Sequence, residues 1–405
     1  MQPIGKKNNN ELAKLGSLPP YIFSFVDSLK MDARRKGEDI IDLGMGNPDL
    51  STPMPVVQKL IEVIKDSKTH RYSASRGIKR LREHIAVFYS KKFNVSVDPD
   101  SEVCVTIGVK EGLSHLMLVC VSEGNYVYVP SPSYPIHSYS VIIAGGQLVK
   151  IPLIPKETFF ENLAKVIKMG ESKQKMILLS FPHNPTTMVQ SIDFFKKVVH
   201  LARENNAWVV HDFAYADLCF DGYKAPSLLQ VQNSKDVSLE FYSFSKSYNM
   251  PGWRLGFAVG NKNLIHALTR IKSYLDYGVF TPIQVAGIVA LNLDNKYVER
   301  TVDIYRKRRN TLIDGLDRIG WYVEKPMATM FVWAKIPEPF DKLGSLKFAE
   351  HLVREAKVAV SPGIGFGEMG DRYVRFALVE NEHRIKQAIR GIKKAFKYSL
   401  NAQYV

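Results

Sequence analysis

The chain has 405 residues, 45% hydrophobic and 23% charged, which suits two domains, or one large domain with a smaller lobe. Its formal net charge of +15 allows an anionic partner, but the densest basic runs, Arg306–Lys307–Arg308–Arg309 and Lys393–Lys394, fall on helical patterns and are expected to be solvated faces. No run of 18 apolar residues spans a membrane, residues 1–10 lack a leader's apolar stretch, and Cys104, Cys120 and Cys219 form no metal-ligand spacing, so a cytoplasmic protein with reduced thiols and no metal is expected.

Residues 1–10 read as a polar arm. A helix is expected to begin near Ser51–Thr52, with Pro53 in its first turn and Val57, Leu60, Ile61 and Ile64 on one face. From about 100 to 260, short apolar strands alternate with amphipathic helices. The strands are predicted at 103–107, 126–130, 176–181, 207–212, 240–245 and 255–259, and one helix carries the stripe Leu113, Leu116, Met117, Cys120. This alternation predicts an α/β large domain with a mainly parallel sheet, over residues 51–285. Beyond it come a long charged helix at 282–319, a strand pair at 321–324 and 330–335, a helix at 346–355, a strand at 373–377 and a last helix at 382–397. Residues 286–405, with the N-terminal segment 1–50, are expected to form a smaller α+β domain.

In open α/β sheets ligands lie beyond the carboxyl ends of the strands. Polar residues from separate parts of the chain fall at such ends. Lys246 follows an apolar strand among Ser243, Ser245 and Ser247, with Arg254 eight residues on. It is either a solvated strand-end lysine or an amine able to form an imine beside a phosphate held by Arg254, Ser243 and Ser245. Asp212 ends the run Trp208–Val209–Val210–His211. It is either a helix cap or the partner of a protonated ring nitrogen, with Tyr215 three residues on. Gly108 between a strand and a helix exposes backbone N–H groups to an anion, as many such connections do. Asn184–Pro185 is either a plain turn or part of the same ligand site, and Arg375 is either an edge-strand arginine or a carboxylate clamp.

The stretch SFSKSYNMPGWRLG at 243–256, with the order Gly108, Tyr134, Asn184–Pro185, Asp212–Tyr215, Lys246, Arg254, Arg375, resembles the class I aminotransferases of pyridoxal 5′-phosphate (PLP) fold type I, over roughly residues 20 to 397. Within that family HDFAYADLCFDGYKAPSLLQV, KSYNMPGWRLGF, RIKSYLDYGVFTPIQVA and VWAKIPEPF look most like the bacterial glutamate–pyruvate (alanine) aminotransferases. The resemblance implies a large domain with a seven-stranded-type sheet and ping-pong transfer between L-alanine and 2-oxoglutarate. The alternative is an aspartate or LL-diaminopimelate aminotransferase.

It also implies residue roles. Lys246 carries PLP and moves the proton, Asp212 pairs with the ring nitrogen, Tyr215 and Asn184 bond the ring 3-oxygen, and Tyr134 stacks on the ring. The N–H groups of Val109 and Lys110 after Gly108, with Ser243, Ser245 and Arg254, hold the phosphate. Tyr72 reaches the phosphate of the neighbouring subunit, so a homodimer is expected. Arg375 grips the substrate α-carboxylate with Asn184 and the backbone of Gly46, and Lys110 meets a distal carboxylate. Two departures mark a subgroup: Thr187 where many members have Gly, and Phe213 where many have Glu. A DNA-binding regulator of the same fold would need an added N-terminal domain. Some 20 residues precede the matched region, so no nucleic-acid partner is expected.

Overall fold

The computed structural model describes residue 18 and residues 22–170 and 174–402, so the arm expected at 1–10 lies outside the described residues. The strands are β1 (Ile41–Leu43), β2 (Val103–Thr106), β3 (Tyr126–Ser131), β4 (Gln147–Pro152), β5 (Lys175–Leu179), β6 (Ala207–Asp212), β7 (Ser238–Ser243), β8 (Gly256–Gly260), β9 (Phe331–Lys335), β10 (Val358–Pro362) and β11 (Tyr373–Ala377).

Seven of them form one sheet in the order β2-β8-β7-β6-β5-β3-β4, in which β8 runs antiparallel to both neighbours. The pairs β3–β4, β3–β5, β5–β6 and β6–β7 are parallel. Side chains alternate faces along each strand. Ile177, Val209, Tyr242 and Phe257 pack on one side, and Met176, Leu178, Val210, Phe241 and Ala258 on the other. Helices cover both faces, which is why these strands read as near-continuous apolar runs. The stripe Leu113, Leu116, Met117 of the helix Val109–Cys120 lies against one face. Phe159, Leu163 and Ile167 of the helix Phe159–Met169 recur every fourth residue against the other.

A second sheet, β1-β10-β11-β9, is packed by the helices Lys296–Asp317 and Glu382–Ala402 around Trp321, Phe348 and Phe376. β1 comes from the N-terminal segment and pairs in parallel with β10.

The structure departs from the sequence-based expectations at several points. The helix expected over 282–319 is two helices, Thr281–Leu291 and Lys296–Asp317. In the intervening turn the Asn292 amide donates to the Ile288 carbonyl and Asp294 Oδ1 accepts the Lys296 N–H, so side chains replace the helical ladder there. Residues 321–324 form no strand; Trp321 instead buries its ring and donates Nε1–H to the Lys335 carbonyl at 2.7 Å. The strand expected at 240–245 stops at Ser243, whose Oγ accepts the Ser245 N–H and starts a short helical turn, Phe244–Ser247.

The basic run 306–309 is not a uniformly solvated face. Arg306 and Lys307 are exposed, but Arg308 and Arg309 turn inward at helical spacing. Arg308 grips Asp49 through two bonds of 2.7 Å, and Arg309 pairs with Asp221 over the Phe220 ring. The helix Lys79–Phe93 and the strands β4 and β10 were not anticipated.

Candidate active site

The carboxyl ends of β6 and β7, the start of the helix Val109–Cys120, and β11 of the smaller sheet meet at a cleft of about 620 Å³. Gly46, Val109, Lys110, Tyr134, Asn184, Asp212, Tyr215, Ser243, Ser245, Lys246, Arg254 and Arg375 all line it. Twelve of the fourteen residues singled out from the sequence are thus brought to one cavity. Gly108 lies directly behind it, and Tyr72 stands away from its wall, 91% exposed.

Lys246 follows the Ser243 cap, and its Nζ donates to the Gly46 carbonyl at 3.1 Å. Burial, then the charges of Arg375 and Arg254, lower its pKa to about 7 against the opposing pull of Asp212. An amine in that range is substantially unprotonated at neutral pH, which is the form that attacks an aldehyde.

Asp212 is buried at the end of β6. Its Oδ2 lies 2.9 Å from His137 Nε2, and its Oδ1 accepts the Ala214 N–H. Turns rather than a helix follow, so it caps no helix. Tyr215 is buried as well, and burial raises its phenol pKa well above the usual range, leaving it a neutral donor.

Gly108 has φ +74°, and a Cβ there would meet Arg254 Nη2 at 2.5 Å. The close approach of Arg254 and the left-handed backbone both call for glycine. Glu111 Oε2 accepts the Ile107 N–H at 2.7 Å, while Oε1 takes the buried Lys272 ammonium at 3.0 Å, fixing the turn. The N–H groups of Val109 and Lys110 sit in the first helical turn, ahead of any intrahelical acceptor. With Ser243, Ser245 and the Arg254 guanidinium they form a set of donors suited to a phosphate dianion. A flat ring extending from that cup would meet Asp212, Tyr215 and Tyr134, which line the same cleft, so the residues present fit PLP.

Arg375 is an interior-strand residue, not an edge one. Only 6% exposed, it is sandwiched between the Phe331 and Phe366 rings at 4.0 and 4.6 Å. Its Nη1 donates to Asn184 Oδ1 at 2.7 Å, and its Nη2 to Gly44 O at 3.3 Å and Ser361 Oγ at 3.2 Å. Such a fixed planar fork suits a carboxylate.

Four contributors were not anticipated. His137 had a signal, because it lies three residues after Tyr134, in the first turn of the helix Pro135–Ala144 that Tyr134 precedes, and the rings pack edge to face at 5.8 Å. Phe331, Phe366 and Ser361 are distant in sequence and reach the site only through the small sheet.

A cleft with a strand-end lysine, a buried carboxylate and a clamped arginine, on this two-sheet α/β frame, defines an aminotransferase of fold type I. The chain belongs to the class I and II aminotransferases: the model of the family "Aminotransferase class I and II" matches residues 38–392. It is 55% identical over 384 residues to the glutamate-pyruvate aminotransferase AlaC of Escherichia coli (strain K12), covering 95% of this chain and 93% of that protein. An LL-diaminopimelate aminotransferase of Gloeobacter violaceus is 40% identical over 95% of this chain and 97% of its own length. The solved structure of substrate-bound BacF from Bacillus subtilis superposes with a TM-score of 0.89 at 34% identity, covering 96% of this chain and 98% of that one.

Proposed function

We propose that the chain is a PLP-dependent aminotransferase whose preferred reaction moves the amino group of L-alanine to 2-oxoglutarate, giving pyruvate and L-glutamate. The observation that carries this reading is the convergence of Lys246, Asp212 and Arg375 in one cleft, with the lysine amine near neutral pKa.

When bound, PLP supplies an aldehyde and an electron-withdrawing ring that stabilises negative charge at the substrate α-carbon. Lys246 is the residue that would hold the cofactor between turnovers. Once freed by an incoming amino acid, its amine would take the α-proton and return it two atoms along, to the carbon beyond the substrate nitrogen, acting as a single general base. Asp212 would keep a proton on the ring nitrogen, and His137 braces the carboxylate. Tyr215 and Asn184 would bond the ring 3-oxygen and Tyr134 would cover the ring face. Val109, Lys110, Ser243, Ser245 and Arg254 would hold the phosphate. Arg375, with Asn184 and the backbone of Gly46, orients the α-carboxylate.

Alanine carries no second charge, whereas glutamate and 2-oxoglutarate do. Lining the cleft are five basic side chains, Lys30, Lys110, Lys246, Arg254 and Arg375. Lys30 is taken by Asp27 and Asp42, and three others have roles above, which leaves the exposed Lys110 for a distal carboxylate. The name of the E. coli relative supports the alanine–glutamate pair, and that of the Gloeobacter relative keeps LL-diaminopimelate as the second reading.

We also propose a cytoplasmic homodimer. Among the described residues no helix is long and apolar enough to cross a membrane. The Tyr72 ring lies tilted against Tyr277 at 5.4 Å, and with exposed Tyr274, Leu275 and Phe280 it presents an apolar surface of the kind a second subunit covers. Tyr72 would then complete the partner's phosphate cup. Division into a cofactor domain at 51–285 and a small domain from 1–50 and 286–405 accords with the two sheets.

The test is a steady-state donor panel of alanine, aspartate and LL-diaminopimelate with 2-oxoglutarate. Alanine is expected to give the highest kcat/KM. A tenfold advantage for another donor moves the enzyme to that specificity, and no 2-oxo-acid-dependent transfer with any donor refutes the reading.

A further inference from the structure

The substrate end of the cleft is walled by a segment that carries no catalytic group of its own. After β1 the chain leaves the small sheet at Gly44, and the turn 44–46 crosses the cleft. Two of its carbonyls hold the machinery: Gly44 O accepts from Arg375 Nη2 and from Ser361 Oγ, and Gly46 O accepts from Lys246 Nζ. Gly46 is also pressed against the ring that stacks on Arg375, since a Cβ there would meet Phe331 at 2.7 Å.

A single side chain sets the shape of this turn. Asp42 Oδ1 accepts the Gly44 N–H at 3.0 Å and the Met45 N–H at 3.4 Å, and its Oδ2 takes the Lys30 ammonium at 2.6 Å. Lys30 comes from the helix Phe23–Arg35, is 8% exposed, and pairs also with Asp27 at 2.7 Å. Burial alone would push the Asp42 carboxyl up, but the Lys30 hydrogen bond and charge, with the Gly44 and Met45 N–H groups, hold it below the ordinary value. It therefore stays ionised throughout the neutral range. Register places Asp42 opposite Ala359, and Ser361, two residues on, opposite Arg375, so Asp42, Ser361 and Arg375 face the same side of the small sheet.

We propose that Asp42, held by Lys30, is a positioning residue for substrate capture: it fixes the start of the turn 44–46, where the Gly44 carbonyl aims the Arg375 guanidinium at the substrate carboxylate. This rests on the functional reading above. Every substrate carries that carboxylate in both ground and transition states. Loss of aim therefore weakens binding uniformly, which raises KM and leaves kcat largely alone. A salt bridge that only pinned the N-terminal helix would change stability without that split.

The holoenzyme variants Asp42→Ala, Asp42→Asn and Lys30→Met test this. For Asp42→Ala, KM for both L-alanine and 2-oxoglutarate is expected to rise about tenfold. Its kcat should stay within about threefold, and the dissociation constant for PLP within about twofold, because the phosphate cup belongs to the other sheet. Asp42→Asn keeps one acceptor for the turn but loses Lys30, so its KM should fall between those of wild type and Asp42→Ala. Lys30→Met leaves two unneutralised carboxylates at the substrate end, so its KM should rise and the rise should shrink with added salt. If Asp42→Ala does not fold, the other two variants carry the test. Binding of propionate, an unreactive carboxylate, followed through cofactor absorbance, should weaken in parallel with KM. An unchanged KM and propionate affinity in the Asp42 variants overturns the proposal. So does a fall in Tm in which kcat, KM and PLP affinity decline together. Wild-type enzyme that binds propionate but transfers no amino group refutes the functional reading instead, and leaves the propionate comparison to judge Asp42.

Discussion

Replacing Arg375 by Lys keeps the positive charge at the substrate end of the cleft but removes the fork. In the native protein the guanidinium is oriented by Asn184, Gly44 and Ser361 and held flat between Phe331 and Phe366. A lysine ammonium meets a carboxylate as a point charge and loses one of the two parallel hydrogen bonds. A hydrogen bond to a charged group is worth roughly 1.5–3 kcal/mol, which is a fall of about 10- to 150-fold in kcat/KM. The loss should be similar for alanine and glutamate, because both present an α-carboxylate. PLP affinity should not change, since the Arg375 side chain lies across the cleft from Arg254, Ser243 and the start of the helix Val109–Cys120. The assay is the single-turnover half-reaction with each amino acid, followed by the cofactor spectrum, alongside a PLP titration of the apoenzyme. A kcat/KM within about threefold of wild type, or a loss that tracks PLP affinity, would refute the clamp.

Asp212→Asn should still bond His137 and hold PLP, yet lose roughly 100- to 1,000-fold in kcat, the magnitude of a removed electrostatic partner; a rate within about threefold would make Asp212 a structural residue only. Lys110→Met keeps the stem and drops the charge, so kcat/KM for glutamate should fall about tenfold, some 1.4 kcal/mol, while the alanine half-reaction changes much less. Equal losses would put Lys110 on the cofactor side. Mixing inactive Lys246→Ala subunits with an inactive Tyr72 variant should partly restore activity, because one site of the hybrid is intact; a fully active monomer at working concentration contradicts the composite site.

The large sheet was legible in the sequence because its strands are buried on both faces and stand as bare apolar runs between helical stripes. β6, for example, is observed at the expected 207–212. Weaker elements escaped. β4 has the mixed burial of an edge strand, and β1 is three residues long. The break at 292–295 depends on side-chain hydrogen bonds of Asn292 and Asp294, which helical periodicity does not register. Site residues at strand ends were visible because a polar residue closing an apolar run is itself a local signal. Contributors from the small sheet were not, for a physical reason: Ser361, Phe331 and Phe366 look like ordinary strand and turn residues, and they reach the cleft only because Ser361 lies opposite Arg375, Phe331 lies on the neighbouring β9, and Phe366 ends the turn that follows β10. The burial of Arg308 and Arg309 was hidden likewise, since Asp49 and Asp221 that receive them lie far away in sequence.

The central claim, that Lys246 is the cofactor-bearing amine of a transaminase, is tested most directly by reconstituting apoenzyme with PLP across pH and then supplying alanine and 2-oxoglutarate. Burial and the Arg375 and Arg254 charges lower the lysine pKa to about 7. The rate at which the bound-cofactor visible absorbance appears should therefore rise about tenfold per pH unit below pH 7 and level off above it, whereas an unshifted lysine, with a pKa of roughly 10.4, would keep accelerating through pH 9. The reconstituted enzyme should then form pyruvate, and Lys246→Ala should show neither the absorbance nor the turnover. Lys246→Ala that develops the same absorbance and turns over alanine at the wild-type rate would contradict the account.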